Sequence, residues 1–92
     1  MRFSYAREKF GVAVERAANS KETLHERVTH AYQSIMPLES KHVPDPELWE
    51  RIRQLKDRII NFPTDRKMPD GDAEDWLREL VHINNEVQGH LE

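Results

Sequence analysis

The chain has 92 residues, no cysteine and a formal net charge of -3 at pH 7. Because cysteine is absent, the sequence excludes a disulfide framework, a thiolate zinc site, an iron–sulfur cluster and a thiol nucleophile. The slightly acidic balance argues against broad, charge-driven binding to nucleic acid or to anionic lipid. The spacing of apolar residues, charges and motifs along the chain distinguishes among the functions that remain.

The length predicts a single helical domain, which we place at residues 1–90. Leu91 and Glu92 look like the linker that precedes a purification tag, and we expect them to take no part in function. The first residues contain no apolar segment of the kind that a signal peptide requires. No stretch approaches the roughly 20 consecutive apolar residues of a membrane span, so we expect a cytoplasmic protein.

Apolar residues recur at helical spacing in four stretches, and they scarcely alternate with the period of two that marks a strand. The first stretch predicts a helix that Ser4 caps with its hydroxyl and that stops near Asn19. Gly11 lies inside this helix and weakens it by about 1 kcal/mol relative to alanine. The predicted buried face consists of Ala6, Phe10, Ala13, Val14 and Ala17.

The second stretch has the most regular apolar pattern of the four. Ser20 is expected to cap this helix, and Pro37 ends it because proline has no amide hydrogen and restricts the preceding residue. Residues 37–46 contain three prolines and predict a loop. The predicted buried face of the second helix consists of Leu24, Val28, Ala31, Tyr32, Ile35 and Met36.

The third helix is predicted to start at Asp45 and Pro46, which read as an N-cap followed by proline at the first helical position. Pro63 is expected to close it. Its predicted inner face consists of Leu48, Trp49, Ile52, Leu55, Ile59 and Phe62.

The fourth helix is predicted to start at Asp70 or Asp72, where negative charge suits the positive end of the helix dipole. Gly89 marks its C-terminal stop. Its predicted inner face consists of Trp76, Leu77, Leu80, Val81, Asn84 and Val87.

The number and length of these helices predict the fold class. Four helices of about 16 residues leave two loops and one short turn in a chain of this size. That layout is typical of an all-α, antiparallel four-helix bundle. Three packed helices with a looser fourth is the alternative.

Metal ligands are expected to be absent. His25 and His30 miss the spacing of a zinc protease motif by one residue, and their imidazoles point roughly 140° apart on a helix. The acidic run at residues 70–75 lacks the glycine and the glutamate that a calcium loop needs at its sixth and twelfth positions. We therefore predict no metal site and no cofactor.

No catalytic signature is apparent. Nucleophilic catalysis needs a serine or threonine paired with a histidine and an orienting acid, and no glycine-flanked serine or phosphate-binding glycine loop is present. We predict a non-enzymatic protein. A small metal-dependent or hydrolytic enzyme stays open as an alternative, in which His25, His30 or His82 would converge with carboxylates in a pocket.

Charge is unevenly distributed over the second half of the chain. Residues 49–67 hold six basic residues against three acidic ones, whereas residues 69–92 hold seven acidic residues against Arg78 alone. One interpretation is that the third and fourth helices are neighbours with complementary, solvated surfaces. The other is that the third helix binds an acidic partner through Arg51, Arg53, Lys56, Arg58, Arg66 and Lys67.

Three segments carry a resemblance: FGVAV at residues 10–14, LHERVTHAY at 24–32 and PELW at 46–49. Their layout resembles that of short helical proteins of unknown function in bacterial genomes. The resemblance implies a bacterial, cytoplasmic origin and supplies no activity, ligand or functional residue.

These observations favour a small, non-enzymatic helical protein that acts through a protein partner or by self-association, as in a homodimer. The alternative from another class is a nucleic-acid-associated regulator that uses the basic third helix. No membrane association is expected.

Overall fold

The protein is described by a computed structural model that covers residues 3–19, 21–62 and 68–90. These residues form four helices, α1 (Ser4–Ala17), α2 (Leu24–Ile35), α3 (Pro46–Ile60) and α4 (Asp70–Gly89). One turn of 3₁₀ helix, Ser40–His42, lies between α2 and α3. The described residues contain no strand, which confirms the prediction of an all-α fold.

The start of α3 follows the predicted capping chemistry. The Asp45 side chain accepts hydrogen bonds from the backbone N–H groups of Glu47 and Leu48, and Pro46 occupies the first turn. Proline is well placed there because the first amides of a helix have no intrahelical acceptor. Pro63, which was expected to close α3, lies outside the described residues.

The starts of α1 and α2 differ from the predictions. The predicted cap of α1 is wrong, because Ser4 is already helical and Phe3 holds the N-cap position without a side-chain hydrogen bond. Phe3 occupies this position because its side chain packs into the core, where only 7% of its surface is exposed. In α2 the cap is Thr23, whose hydroxyl accepts from the backbone N–H of Glu26. Ser20, the predicted cap, lies outside the described residues.

The helices pack in an antiparallel arrangement around α4, which contacts each of the other three. Near the start of α1, the Arg7 carbonyl accepts a hydrogen bond from Gln88 near the end of α4. Arg58 near the end of α3 meets Asp75 near the start of α4. The predicted four-helix bundle is therefore confirmed.

One cluster of buried apolar side chains joins the helices and the loop between α2 and α3. Its largest fully buried members include Phe10, Ile35, Ile52 and Trp76. The loop contributes Leu38, which is 1% exposed although it belongs to no helical repeat. The core therefore extends beyond the four predicted stripes.

The predicted inner faces are wrong at Met36 and Val81, and that of the fourth helix omits the buried Ala73 and Ile83. Met36 follows the last residue of α2 and is 53% exposed, because the chain leaves the helix there. In α4, Val81 is 37% exposed, whereas Ile83 is fully buried. The buried positions of α4 step by three or four residues through Leu80, Ile83 and Val87, which leaves Val81 at the edge of the stripe.

Candidate functional site

Two of the predicted partner-binding residues, Arg51 and Arg58, extend from α3 to α4. One guanidinium nitrogen of Arg51 lies 3.0 Å from Glu79 Oε1, and the other contacts Glu86. The hydrogen bond with Glu79 is the main reason that the pKa of Arg51 is raised above its ordinary value. Arg58 Nη2 lies 3.0 Å from Asp75 Oδ2. Both guanidinium groups are therefore engaged by acidic residues of α4.

Arg53 pairs with residues of its own helix. Its Nε donates to Glu50 Oε2 at 3.0 Å, and its Nη1 donates to Asp57 Oδ2 at 2.7 Å. These contacts raise the pKa of Arg53, and its hydrogen bond lowers the pKa of Glu50. Spacings of three and four residues place all three side chains on one exposed face of α3.

Lys56 closes the end of α2. Its Nζ donates to the carbonyl oxygens of Met36 at 3.0 Å and Leu38 at 2.8 Å, and burial lowers the pKa of this amine. The same nitrogen lies 5.7 Å from the ring centroid of Trp49. The half-buried indole thus has the Lys56 ammonium group over its ring, an arrangement that leaves it poorly placed for stacking on a nucleic-acid base.

Four of the six predicted residues lie on α3, but the structure does not bring them to one face. Arg51 and Arg58 meet α4. Arg53 lies on the exposed face, and Lys56 meets the chain after α2. Arg66 and Lys67 lie outside the described residues. Each of the four described side chains donates to a carboxylate or a carbonyl of its own chain. This arrangement corresponds to the interpretation in which α3 and α4 are neighbours with complementary charge.

The seam between α3 and α4 is also closed beneath these charges. Trp76 is fully buried, and its Nε1 donates to the backbone carbonyl of Leu55 at 2.9 Å. The depression that remains between the two helices has a volume of about 190 Å³. Little of this seam is available to another molecule.

An open groove follows the seam between α1 and α4. It consists of two depressions with volumes of about 460 Å³ and about 500 Å³. Both are lined by Val14, so they lie end to end. We call the combined feature the α1–α4 groove. It is lined in α1 by Arg7, Glu8, Gly11, Val12, Val14, Glu15 and Ala17, in α4 by Glu74, Leu77, Arg78, Val81, Asn84 and Gln88, and elsewhere by Ala18, Leu24 and Arg27.

Apolar side chains are exposed along this groove. Val12 of α1 is 40% exposed and Val81 of α4 is 37% exposed. Val14 and Leu24 are half-buried, and Leu77 belongs to the edge of the core. Val12 and Val81 line different depressions of the groove, and Val12 also borders a depression beside His30 of α2. Exposed apolar side chains in such depressions are typical of a protein-binding site.

The rim of the groove carries three exposed carboxylates, Glu8, Glu15 and Glu74, and none of them forms an ion pair with another described residue. The groove is also lined by Arg7, Arg27 and Arg78. Arg78 is exposed and lies 3.8 Å from Asp75. Arg27 Nε donates to the Ala17 carbonyl at 2.5 Å, and Arg7 Nε lies 3.5 Å from the Gln88 side chain.

Gly11 lies in the middle of α1 at the groove surface. Its backbone has no positive φ, and a Cβ atom placed on it would meet nothing within 4 Å. The fold of the described chain therefore gives no reason for glycine there. From the sequence, Gly11 shows only its cost to the helix, and the groove cannot be seen because it depends on how α1 and α4 pack.

The histidines do not assemble into a site in the described parts of the chain. His30 Nδ1 is buried and lies 2.5 Å from Glu22 Oε2, a contact without hydrogen-bond geometry, while His25 and His82 are exposed. No group of three or more His, Cys, Asp or Glu side chains among the described residues could hold a metal ion. No described helix combines the length and the apolar character needed to cross a membrane.

Comparisons with known proteins add no further constraint. No family model, no curated protein and no solved structure matches the chain. The resemblance to short bacterial helical proteins stays a prediction. The function of the protein therefore has to be inferred from the geometry of this chain.

Proposed function

We propose that the protein is a small, non-enzymatic helical module of the bacterial cytoplasm that acts by binding a protein along the α1–α4 groove. The bound protein is either a partner or a second copy of the chain. The single observation that carries the proposal is the groove itself, in which exposed valines lie beside carboxylates that form no ion pair within the described part of the chain.

The chemistry of the groove suits a protein ligand. An apolar floor excludes water and contributes most of the binding free energy, whereas charged groups at the rim select the partner and its orientation. Val12 and Val81 lie on the two helices that flank the seam and supply exposed apolar surface. The rim supplies Glu8, Glu15 and Glu74.

The nucleic-acid alternative receives less support from the geometry. Phosphate binding needs cationic side chains that are free to neutralise phosphates. Arg51 and Arg58 are paired with α4, and Arg53 is paired within α3. A salt titration of binding to random DNA tests this alternative, and tight binding at low salt that weakens steeply as salt is added would favour it.

The enzymatic alternative also lacks a specific observation in its favour. A catalytic histidine needs a nucleophile or an orienting acid at hydrogen-bonding distance and a pocket that holds a substrate. His30 borders a depression with Arg16, Gln33 and Ser34, but Ser34 donates its hydroxyl to the backbone carbonyl of His30.

Site-specific photocross-linking tests the proposal. The photoreactive residue p-benzoylphenylalanine is placed at position 81, in the groove, and in a matched variant at position 53, on the exposed face of α3. Irradiation in the native host should join position 81 to a second polypeptide and should join position 53 to none. A product of twice the chain mass identifies a second copy, and any other mass identifies a partner.

Two results would contradict the proposal. The absence of a protein adduct from position 81 would remove the groove as a binding surface. Adducts that form equally at positions 81 and 53 would mean that the chain meets proteins without using the groove. Each variant is checked by circular dichroism, so that a failure to fold is not mistaken for a failure to bind.

A further inference from the structure

We infer that the depression between α1 and α2 binds inorganic phosphate in a form that still carries a proton. The depression has a volume of about 340 Å³ and is lined by Val12, Arg16, His30, Gln33 and Ser34. It shares only Val12 with the α1–α4 groove, so the inference goes beyond the proposed function and does not depend on it.

One face of each helix forms a wall of the depression. Val12 and Arg16 are four residues apart on α1. Gln33 and Ser34 lie three and four residues after His30 on α2. Side chains at these spacings lie on the same side of a helix. The volume is at the lower end of the range of about 300–1,000 Å³ that is typical of small-molecule sites, which suits a small ion.

The free polar groups of the depression include two donors. Arg16 and Gln33 are exposed, and neither side chain forms an ion pair or a hydrogen bond with another described residue. A guanidinium and an amide nitrogen both donate to the oxygens of an anion. The described lining residues include the cation Arg16 and no carboxylate, so the local charge favours an anion.

Glu22 fixes the position of the proton on His30. The Glu22 side chain is only 15% exposed, and its Oε1 accepts a hydrogen bond from Asn19 Nδ2 at 3.1 Å. Its Oε2 lies 2.5 Å from His30 Nδ1. A proton on Nδ1 is attracted by this carboxylate, whereas a lone pair there would face its negative charge. The neutral imidazole therefore keeps its proton on Nδ1.

The other imidazole nitrogen is consequently an acceptor. Nδ1 is buried although 37% of the His30 side chain is exposed, so the part of the ring that borders the depression is the part that carries Nε2. Without a proton, Nε2 accepts a hydrogen bond and cannot donate one. The depression thus combines the donors of Arg16 and Gln33 with one acceptor.

Two donors beside one acceptor select among anions. Inorganic phosphate keeps at least one proton near neutral pH, so one of its oxygens can donate to Nε2 while the others accept from Arg16 and Gln33. Sulfate and carboxylates carry no proton there and would place a lone pair against Nε2. Hydrogen phosphate is therefore the anion that satisfies all three groups.

Titrations followed by NMR test the inference. The isotopically labelled full chain is titrated with phosphate or with sulfate at constant ionic strength and about pH 8, where an imidazole is ordinarily neutral. Both ions are then mainly dianions of similar shape, and only phosphate has a proton to donate. Phosphate should shift the side-chain resonances of Arg16 and His30 to saturation and should bind about fivefold more tightly than sulfate, as expected for one hydrogen bond. Methyl phosphate, which has lost its last proton at this pH, should bind like sulfate and so separates free phosphate from a phosphate ester.

Variants of the chain assign the binding to this depression. Arg16→Gln should weaken phosphate about tenfold, because it removes the charged donor. The matched control Arg78→Gln removes an exposed cation outside the depression and should leave the affinity unchanged. Glu22→Gln should bind phosphate and sulfate alike, because an amide can donate to Nδ1 as well as accept from it. A purely structural role of Glu22 would not change this ratio, and circular dichroism checks that each variant is folded.

Three kinds of result would overturn the inference. Sulfate or methyl phosphate that binds as tightly as phosphate would show that charge alone is recognised. Equal losses in Arg16→Gln and Arg78→Gln, or the absence of a saturable shift with phosphate, would remove the depression as the binding site. A proton on Nε2 instead of Nδ1 of His30, assigned from the nitrogen chemical shifts of the imidazole, would remove the acceptor on which the selectivity depends.

Discussion

The two seams that α4 forms with α3 and with α1 differ in what they leave available. At the α3–α4 seam, opposite charges meet across the helices and the Trp76 indole donates to a backbone carbonyl beneath them. At the α1–α4 seam, valines are exposed and carboxylates have no ionic partner among the described residues.

A conspicuous charge pattern in the sequence therefore need not mark an open surface. Arg51 and Arg58 of the basic third helix pair with acidic residues of the fourth, so these charges contribute to the internal structure of the bundle. The α1–α4 seam has a weaker charge pattern in the sequence, yet the carboxylates at its rim form no ion pair with another described residue. Four predictions sharpen or break the comparison, taken from the largest expected effect to the smallest.

The largest effect is expected at Trp76. Trp76→Ala should lower the free energy of unfolding by about 3–5 kcal/mol, because it empties a buried site and removes the donor to Leu55. Val14→Ala, on the open seam, should cost about 1 kcal/mol, since Val14 is only half-buried. Urea unfolding followed by circular dichroism measures both. Equal losses would contradict the contrast between a closed seam and an open one.

At the α1–α4 seam, one substitution is expected to increase stability. Gly11→Ala should raise the free energy of unfolding by up to about 1 kcal/mol, because a Cβ at this position meets open space. The corresponding rise in Tm is about 4–8 °C for a domain of this size. Gly71→Ala, in the first turn of α4, serves as a control with a smaller expected gain. A loss of stability in Gly11→Ala would mean that α1 needs glycine for its own packing.

The cross-helix ion pairs should contribute little. A double-mutant cycle with Arg51→Gln and Glu79→Gln is expected to give a coupling energy of about 0.2–1 kcal/mol, because both side chains are more than a third exposed. The coupling should fall in about 1 M NaCl, where charges are screened over a few ångströms. Arg16→Gln, which removes an exposed cation from the other side of the bundle, is the control for the loss of charge. A coupling above about 2 kcal/mol would show that this pair holds the seam together.

The smallest effect is the dependence of stability on alkaline pH through Lys56. Burial lowers the pKa of Lys56 below its ordinary value of 10.5, so the unfolded chain binds more protons than the folded chain just below that value. The contribution of Lys56 to stability should therefore rise as the pH approaches 10.5 from neutrality. Chemical unfolding at several alkaline pH values measures it as the difference between the wild type and Lys56→Met. A difference that falls with pH would contradict the buried environment of the amine.

Much of the fold could be predicted from residues that act locally. Asp45 and Pro46 start α3 because the capping carboxylate and the missing amide are properties of those two positions. Helical spacing also identified Phe10, Ile52 and Trp76 as core residues.

The rest depends on which helices become neighbours. Leu38 is buried by tertiary packing although it lies in a loop. Apolar periodicity predicts which face of a helix is buried, but it does not identify the part of the chain that covers that face.

The candidate site was the least predictable part for the same reason. Arg51 and Glu8 are both ordinary charged residues of amphipathic helices. Arg51 forms an ion pair with Glu79 across the two helices. Glu8 lies at the rim of a groove and forms no ion pair with another described residue. The availability of a charge is a property of the assembled bundle.

The hydrogen bond between Gln88 and Arg7 also bears on how the chain folds. It joins residues 81 positions apart, whereas Arg27 reaches the carbonyl of Ala17 across only 10. Closing the longer loop costs about 2 kcal/mol more chain entropy, because the cost grows with the logarithm of loop length. We therefore expect the hairpin of α1 and α2 to form early and the α1–α4 seam to form last.

The groove consequently exists only when the distant parts of the chain have met. A protein bound there would discriminate between the finished bundle and any partly folded intermediate that contains the α1–α2 hairpin alone. Its binding free energy adds to the stability of the whole fold. A ligand bound in this groove would therefore also oppose the unfolding of the whole chain.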